Sequence, residues 1–338
     1  MIVRQVIDRT REWVFENGAR TPGFLGAHLK GSILGLPGDS PFPPYRDVDV
    51  NLVVDGRPHG VEFREISSRE LILDCAIYSA DFYSSAEVVL ANAALAPNLT
   101  GGGLLADPEG QLARLQAKVA EEYDRRPWVQ ARCGERKQVV RQGLARLAEA
   151  SEPAEAGRHL WFVAKEMAAI VAIAHLKPPT HRRGLVRLRK LLLRSDREDL
   201  HHKVLTLLGF AQLSKEQVVR HLERCMEIFD RAAELQPAQA HTRPYVFDGS
   251  LEMIEAGDHR EAMHWIAAQT IRAMTVIEAH GSPIDRSRFE PQVVSLLGEM
   301  GLLGPGRTME RHRQAQVTAD EVIKLADDVI ATSPAVRD

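Results

Sequence analysis

Cysteines and long apolar runs are scarce in this chain of 338 residues, and neither sign of charge predominates. The three cysteines, Cys75, Cys133 and Cys225, are far apart and odd in number. This spacing excludes a disulfide framework and the ligand spacing of a zinc site. It is typical of a protein in a reducing compartment, so we expect a cytoplasmic protein.

The chain also lacks the sequence features of membrane and nucleic-acid proteins. Its longest apolar run, MAAIVAIA at 167–174, is too short to span a bilayer, and its charged first seventeen residues have no signal-peptide core. The formal net charge of −3 gives no general attraction to nucleic acid or to a membrane surface. We therefore expect neither as a partner. No P-loop and no serine-nucleophile signature is present.

One region does combine the residue types of a nucleotide site. It reads GFLGAHLKGSILGLPGDSPFPPYRDVDVNLVV at 23–54, where an apolar run ends in Gly31-Ser32 and a proline-rich loop leads to Asp47 and Asp49. Alternate side chains of a strand share a face, so the two aspartates project together. Adjacent carboxylates repel unless a cation lies between them, and Mg²⁺ prefers oxygen ligands. The pattern predicts a Mg²⁺ site that could hold two ions for phosphoryl transfer.

A third carboxylate is needed from a neighbouring strand. Asp74 is the best candidate, because it lies within a second strand-like run, RELILDCAIYS. Glu62, Glu65 and Glu70 are alternatives on the same strand or the preceding one. We expect Asp47, Asp49 and Asp74 to be both metal ligands and catalytic residues.

The residues around the glycine could bind the triphosphate. Gly31 permits close approach of a phosphate to the backbone, and Ser32 offers a hydroxyl and an amide. If a helix begins after Ser32, its N–H groups and dipole would favour the triphosphate. Lys30 could add positive charge or face solvent, and Arg46 could contact phosphate or substrate.

Leu29-Lys30-Gly31-Ser32, Asp47-Val48-Asp49 and the strand bearing Asp74 together resemble the nucleotidyltransferase superfamily, in particular the antibiotic nucleotidyltransferases that modify kanamycin and streptomycin. The stretch LTGGGLLADPEGQLARLQAKVAEEY at 99–123 is similar to the segment that closes their catalytic domain. The resemblance covers about residues 10–125. It implies a mixed sheet with flanking helices, Mg²⁺, and transfer of a nucleoside monophosphate from a nucleoside triphosphate, with ATP the expected donor. Arg46 departs from it, since relatives often have a small serine there, and the proline-rich loop 37–45 is longer than the shortest versions.

The chain changes character after about residue 125. Strands are predicted at 24–31, 47–54, 61–66 and 71–78, whereas the remainder has helical periodicity. We predict an α+β protein with a catalytic domain at 1–125 and an all-helical bundle that binds the acceptor at 126–338. Helices are predicted near 1–17, 84–96, 111–123, 129–150, 154–175, 182–194, 197–209, 214–234, 248–256, 258–279, 287–300 and 317–332.

Candidates outside the first domain are weaker. Glu166 is an acid within a mostly apolar helix, so it either pairs with an arginine or faces a polar cleft as a general base. Glu135 is a second candidate for that base. The run HRRGLVRLRKLLLR at 181–194 is either a solvated basic face or a source of arginines for the triphosphate. Asn98-Leu99-Thr100 matches a glycosylation acceptor, which we interpret as chance.

These observations favour an enzyme that modifies a hydroxyl of a small molecule, such as an aminoglycoside-like antibiotic or a natural-product intermediate. Antibiotic resistance would follow from the first of these. The alternative is a nucleotidyltransferase that modifies a protein or tRNA, as in toxin–antitoxin pairs. A non-catalytic binding protein is disfavoured, because the chain keeps the whole motif. A homodimer stays open.

Overall fold

A mixed sheet occupies the N-terminal part of the chain. The structure, a computed structural model, describes residues 1–56, 60–68 and 71–338, and of residues 63–68 and 238–239 it describes only the backbone. Within these residues the strands are β1 (Phe24–Lys30), β2 (Asp47–Val54), β3 (Val61–Ser68), β4 (Leu71–Ser79) and β5 (Leu104–Ala106). Their order is β3-β4-β2-β1-β5. β2 and β4 run parallel, and the other neighbours run antiparallel.

The first described α-helix precedes the sheet in the chain, the second lies between β4 and β5, and the other described α-helices follow β5. Their bounds are α1 (Val3–Glu16), α2 (Ala86–Ala91), α3 (Gln111–Glu122), α4 (Arg126–Glu149), α5 (Pro153–Ala174), α6 (Gly184–Leu193), α7 (Glu198–Leu208), α8 (Lys215–Leu235), α9 (Arg243–Glu255), α10 (His259–His280), α11 (Pro283–Glu299) and α12 (Arg307–Thr332). A mixed sheet followed by a helical region confirms the predicted α+β class. Among the described residues, no helix has the length and apolar character that a membrane span requires.

The two faces of the sheet pack against different partners, and this explains the alternation in β2. Val48, Val50 and Leu52 lie in one apolar core together with Val6 and Trp13 of α1. Because side chains alternate along a strand, Asp47 and Asp49 lie on the opposite face.

The same alternation occurs in β4. Leu73, Cys75 and Ile77 join the core against α1. Ala76 and Tyr78, on the opposite face, pack in a second core with residues of α2 and α3. Asp74 shares this second face by the period of two.

The chain divides into two units by its internal contacts. The first comprises Met1–Arg132, Leu176–Pro178 and Ser333–Asp338, and the second comprises Cys133–His175 and Pro179–Thr332. The first unit contains the sheet, and the second is all-helical in its described part. The predicted functional boundary at residue 125 stays a prediction.

Helix starts differ most from the sequence predictions. α11 begins at Pro283 rather than at 287, because Ser282 caps it and Pro283 fits the first helical position. α12 begins at Arg307, ten residues before the predicted start. The short strand β5 was not predicted at all, since three residues carry too little pattern.

Candidate metal and nucleotide site

Three carboxylates meet on one face of the sheet. Asp49 lies opposite Asp74 in the parallel register of β2 and β4, and Asp47 lies two residues before Asp49. One oxygen of each residue lies within 4.8 Å of those of the other two, and all three residues are half-buried. The structure thus brings together the three aspartates that the sequence singled out. We call them the aspartate triad.

Of the three alternatives to Asp74, only Glu62 has a described side chain, and it does not join the triad. Glu62 is exposed on β3, opposite Ile77. The side chain of Glu65 and the whole of Glu70 lie outside the described residues. Among the described acids, Asp74 alone completes the cluster with Asp47 and Asp49.

The electrostatics of the triad favour a bound cation. Burial and then the neighbouring Asp47 carboxylate raise the pKa of Asp49 well above its usual range, and Asp74 adds to this effect, while Lys30 opposes it. Three carboxylates lie close together in one half-buried site, and their mutual repulsion favours a bound cation. A donor set made of carboxylate oxygens is the kind of site that fits Mg²⁺.

Lys30 faces the triad. It lies opposite Asp49 in the antiparallel register of β1 and β2. Its Nζ is 3.6 Å from Asp49 Oδ1 and 3.7 Å from Asp74 Oδ2. Burial lowers the pKa of Lys30, but the Asp49 and Asp74 carboxylates outweigh burial and raise it above the ordinary value. Of the two orientations that the sequence left open, the structure shows the one toward the acids.

Gly31 packs directly on the Asp49 carboxylate. Its φ is +76°, and a Cβ atom there would lie 2.3 Å from Asp49 Oδ2. The Gly31 N–H donates a hydrogen bond to Asn98 Oδ1 at 3.0 Å, and Asn98 Nδ2 donates to the Ala94 carbonyl at 2.7 Å. Asn98, which the sequence offered only as a chance glycosylation motif, therefore positions the glycine turn. No local pattern indicates this contact, because it joins residues 67 positions apart.

The segment after Gly31 is not an α-helix. Residues Gly31–Gly35 form a single 3₁₀ turn, and Ser32 is exposed on it. The condition on which a helix dipole would bind the triphosphate is therefore not met. Arg46 is half-buried immediately before β2, and its N–H donates to the Pro43 carbonyl at 3.1 Å. Phosphate binding by Ser32 and Arg46 stays a prediction.

A buried polar network lies beside the triad, and sequence reasoning missed it. His28 Nδ1 is 2.9 Å from the Leu29 carbonyl oxygen, and His28 Nε2 is 2.8 Å from Tyr83 Oη. Asn51, two residues after Asp49, donates its Nδ2 to Tyr83 Oη at 3.4 Å. Burial lowers the pKa of His28 to about 4, so the ring is neutral at pH 7. A neutral ring whose Nδ1–H donates to the Leu29 carbonyl accepts a hydrogen bond from the Tyr83 hydroxyl at Nε2. The network therefore ties β1 to β2 without adding charge.

Glu166, the predicted base, lies in the second unit and is paired. Its side chain is 3% exposed. Lys165 Nζ lies 2.8 Å from Oε1, and Arg136 donates to Oε2 at 3.3 Å. Arg136 also pairs with Glu135. Pairing with an arginine was one of the two alternatives that the sequence left open, and catalysis by Glu166 stays a prediction.

The basic run in the second unit is paired with acids of later helices. Arg183 lies 2.6 Å from Glu252, and Arg189 contacts both Asp258 and Glu261. These ion pairs account for part of the run without a phosphate ligand.

Comparisons with known proteins add little to this geometry. No family model matches the chain, and no curated protein matches it. One solved structure, a nucleotidyltransferase-like protein from Exiguobacterium sibiricum 255-15, is similar over 88% of each chain at 13% identity, with a TM-score of 0.29. Similarity at this level shows neither the fold nor the function of the present chain.

Proposed function

We propose that this protein is a Mg²⁺-dependent nucleotidyltransferase. It transfers a nucleoside monophosphate, with ATP as the expected donor, to a hydroxyl of a small molecule and releases pyrophosphate. The observation that carries the proposal is the aspartate triad, with oxygens of Asp47, Asp49 and Asp74 within 4.8 Å of one another on two parallel strands. The glycine turn beside it supports the proposal, because its backbone is held against Asp49.

The aspartate triad and the glycine turn have different roles in this reaction. Asp47, Asp49 and Asp74 would hold two Mg²⁺ ions, which supply charge neutralisation for the attacking and leaving oxygens of an in-line displacement. The acceptor oxygen loses its proton and bonds to the α-phosphorus, while the bond to pyrophosphate breaks. Asn98 accepts a hydrogen bond from the Gly31 N–H, and the glycine leaves the space that the Asp49 carboxylate occupies.

The acceptor is the less constrained half of the reaction. We propose that residues 126–338 bind it, and that it is an aminoglycoside-like antibiotic or a natural-product intermediate, with resistance as the consequence in the first case. Glu166 is the sequence-based candidate for the base that takes the acceptor proton. Its two cationic partners occupy both carboxylate oxygens, so it would have to exchange one of them to act.

A pyrophosphate-release assay tests the reaction. The protein is incubated with Mg²⁺, each nucleoside triphosphate and a panel of aminoglycosides, other hydroxylated antibiotics, tRNAs and proteins. We expect release with one small acceptor, and a loss of about 100-fold or more in Asp49→Asn and Asp74→Asn, because each removes a carboxylate ligand of the metal ions that neutralise the developing charge. Asp55→Asn is the matched control, since Asp55 directly follows β2 and is exposed.

Two outcomes would change the proposal. Pyrophosphate release that Asp49→Asn leaves intact would remove the triad from the active site. Label that is transferred only to tRNA or protein would replace the small acceptor by a macromolecular one, as in toxin–antitoxin enzymes.

A further inference from the structure

We propose that Lys30 is an internal cation that occupies the aspartate triad before substrate binds and moves to the triphosphate when metal and nucleotide arrive together. This rests on the proposed function and adds to it a rule for the order of binding: metal alone binds weakly, and nucleotide makes it bind tightly.

The position of Lys30 is fixed by the sheet. Lys30 ends β1 opposite Asp49, and the preceding residue, Leu29, is buried in the apolar core against α1. Because side chains alternate, a core-facing Leu29 places Lys30 on the face of the triad. Its side chain is 17% exposed, less than that of Asp49 at 24% or Asp74 at 33%. The ammonium group is thus part of the site.

A metal ion and the Lys30 ammonium compete for the same oxygens. Lys30 Nζ lies 3.6 Å from Asp49 Oδ1 and 3.7 Å from Asp74 Oδ2. A Mg²⁺ ion bound to either oxygen at about 2.1 Å would lie within about 6 Å of Nζ. Like charges this close in a half-buried site repel, so the metal has to displace the ammonium or bind less tightly.

The triphosphate offers the displaced ammonium a new partner. Gly31-Ser32 directly follows Lys30, and the Gly31 N–H is already donated to Asn98. A phosphate at this turn would therefore bind the Lys30 ammonium group instead of the Gly31 N–H. The lysine stem is long and flexible, and its ammonium binds phosphate as a point charge. Nucleotide binding would thus remove Lys30 from the carboxylates and strengthen metal binding, and the coupling has to be reciprocal.

Manganese titrations test this without measuring turnover. Free Mn²⁺ is followed by electron paramagnetic resonance in the wild type, Lys30→Met, Lys30→Gln and Lys30→Arg, with and without a non-hydrolysable ATP analogue. In the wild type we expect the analogue to tighten Mn²⁺ binding about 100-fold. In Lys30→Met and Lys30→Gln, Mn²⁺ alone should bind about 10-fold tighter than in the wild type, and the analogue should tighten it no more than about 10-fold. Lys30→Arg keeps the charge and should behave as the wild type with Mn²⁺ alone.

The outcomes separate this inference from the proposed function. Suppose that the wild type binds Mn²⁺ through Asp49, and that folded Lys30→Met and Lys30→Gln bind Mn²⁺ no more tightly than the wild type. Lys30 is then not a competing cation, although the metal site stands. If Asp49→Asn does not weaken Mn²⁺ binding in the presence of the analogue, or if Mn²⁺ does not bind even with the analogue, both the site and the role of Lys30 are wrong. A structural role alone would make the neutral variants less stable without tightening Mn²⁺ binding.

Discussion

At the scale of single residues, the Asp49 carboxylate lies so close to the Gly31 backbone that only a glycine leaves room for it. The left-handed φ of Gly31 turns the chain out of β1, and the absence of a Cβ leaves room for Asp49 Oδ2. Asn98 holds this turn through the Gly31 N–H. The glycine is therefore needed for two reasons, its backbone conformation and the space that it leaves.

Gly31→Ala should harm both the fold and the metal site. We expect a loss of about 1–2 kcal/mol in the free energy of unfolding, because an alanine is strained at this φ, and at least a 10-fold loss of Mn²⁺ affinity, because Asp49 has to move. Urea unfolding and Mn²⁺ titration measure the two effects. Gly35→Ala is the control: it lies in the same 3₁₀ turn with open space around it, and both quantities should stay unchanged. Full Mn²⁺ affinity in Gly31→Ala would contradict this account of the turn.

At the scale of elements, α11 begins in the gap between the helices predicted at 258–279 and 287–300. Ser282 Oγ accepts a hydrogen bond from the Asp285 N–H, and the Asp285 carboxylate accepts one from the Ser282 N–H. Arg231 of α8 donates two hydrogen bonds to the same carboxylate at 2.9 Å. The hydrogen bonds from Arg231, and then those from Ser282, hold the pKa of Asp285 well below its usual range.

This cap should make stability depend on pH in a defined direction. Because the pKa of Asp285 is lower in the folded than in the unfolded protein, its stabilisation is complete above the unfolded value of about 3.9 and is lost as the pH falls further. Asp285→Asn should therefore lower the urea midpoint at pH 7, and the difference from the wild type should shrink between about pH 4 and pH 2. Asp320→Asn, an exposed substitution on α12, is the control. A difference that grows on acidification would contradict the assigned role.

At the scale of the whole molecule, the chain has two compact units, and the triad belongs to the first. A ligand that binds only the folded protein stabilises it by mass action, by about 2.7 kcal/mol at 100 times its Kd. The stability of the sheet-bearing unit is therefore a readout of nucleotide binding that does not depend on finding the acceptor.

Mg²⁺ and a non-hydrolysable ATP analogue at 100 times its Kd should raise a melting temperature of the wild type by roughly 5–10 °C, as measured by calorimetry. Asp49→Asn should show little or no such shift, whereas Asp55→Asn should match the wild type. A shift of equal size in Asp49→Asn would mean that the nucleotide binds elsewhere.

The elements and most of the site follow from local sequence. Alternation puts Asp47 and Asp49 on one face of β2, and the apolar run around Asp74 predicts a strand, because side-chain direction depends only on neighbours along the chain. Helical periodicity likewise predicts the all-helical remainder. Where the start of a helix was missed, as at Pro283, a serine and a proline that also occur between helices were the cap and the first residue of the helix.

Contacts between distant residues were decided by the tertiary structure alone. The parallel register of β2 with β4 sets Asp74 against Asp49, the antiparallel register of β1 turns Lys30 toward both, and Asn98 reaches Gly31 from 67 residues away. The sequence by itself determined which residue types could bind a metal and a triphosphate, because chemistry and alternation are local. Only the fold decided that Lys30 faces the triad and that the Gly31 N–H is bonded to Asn98, because strand pairing is not encoded in any single segment.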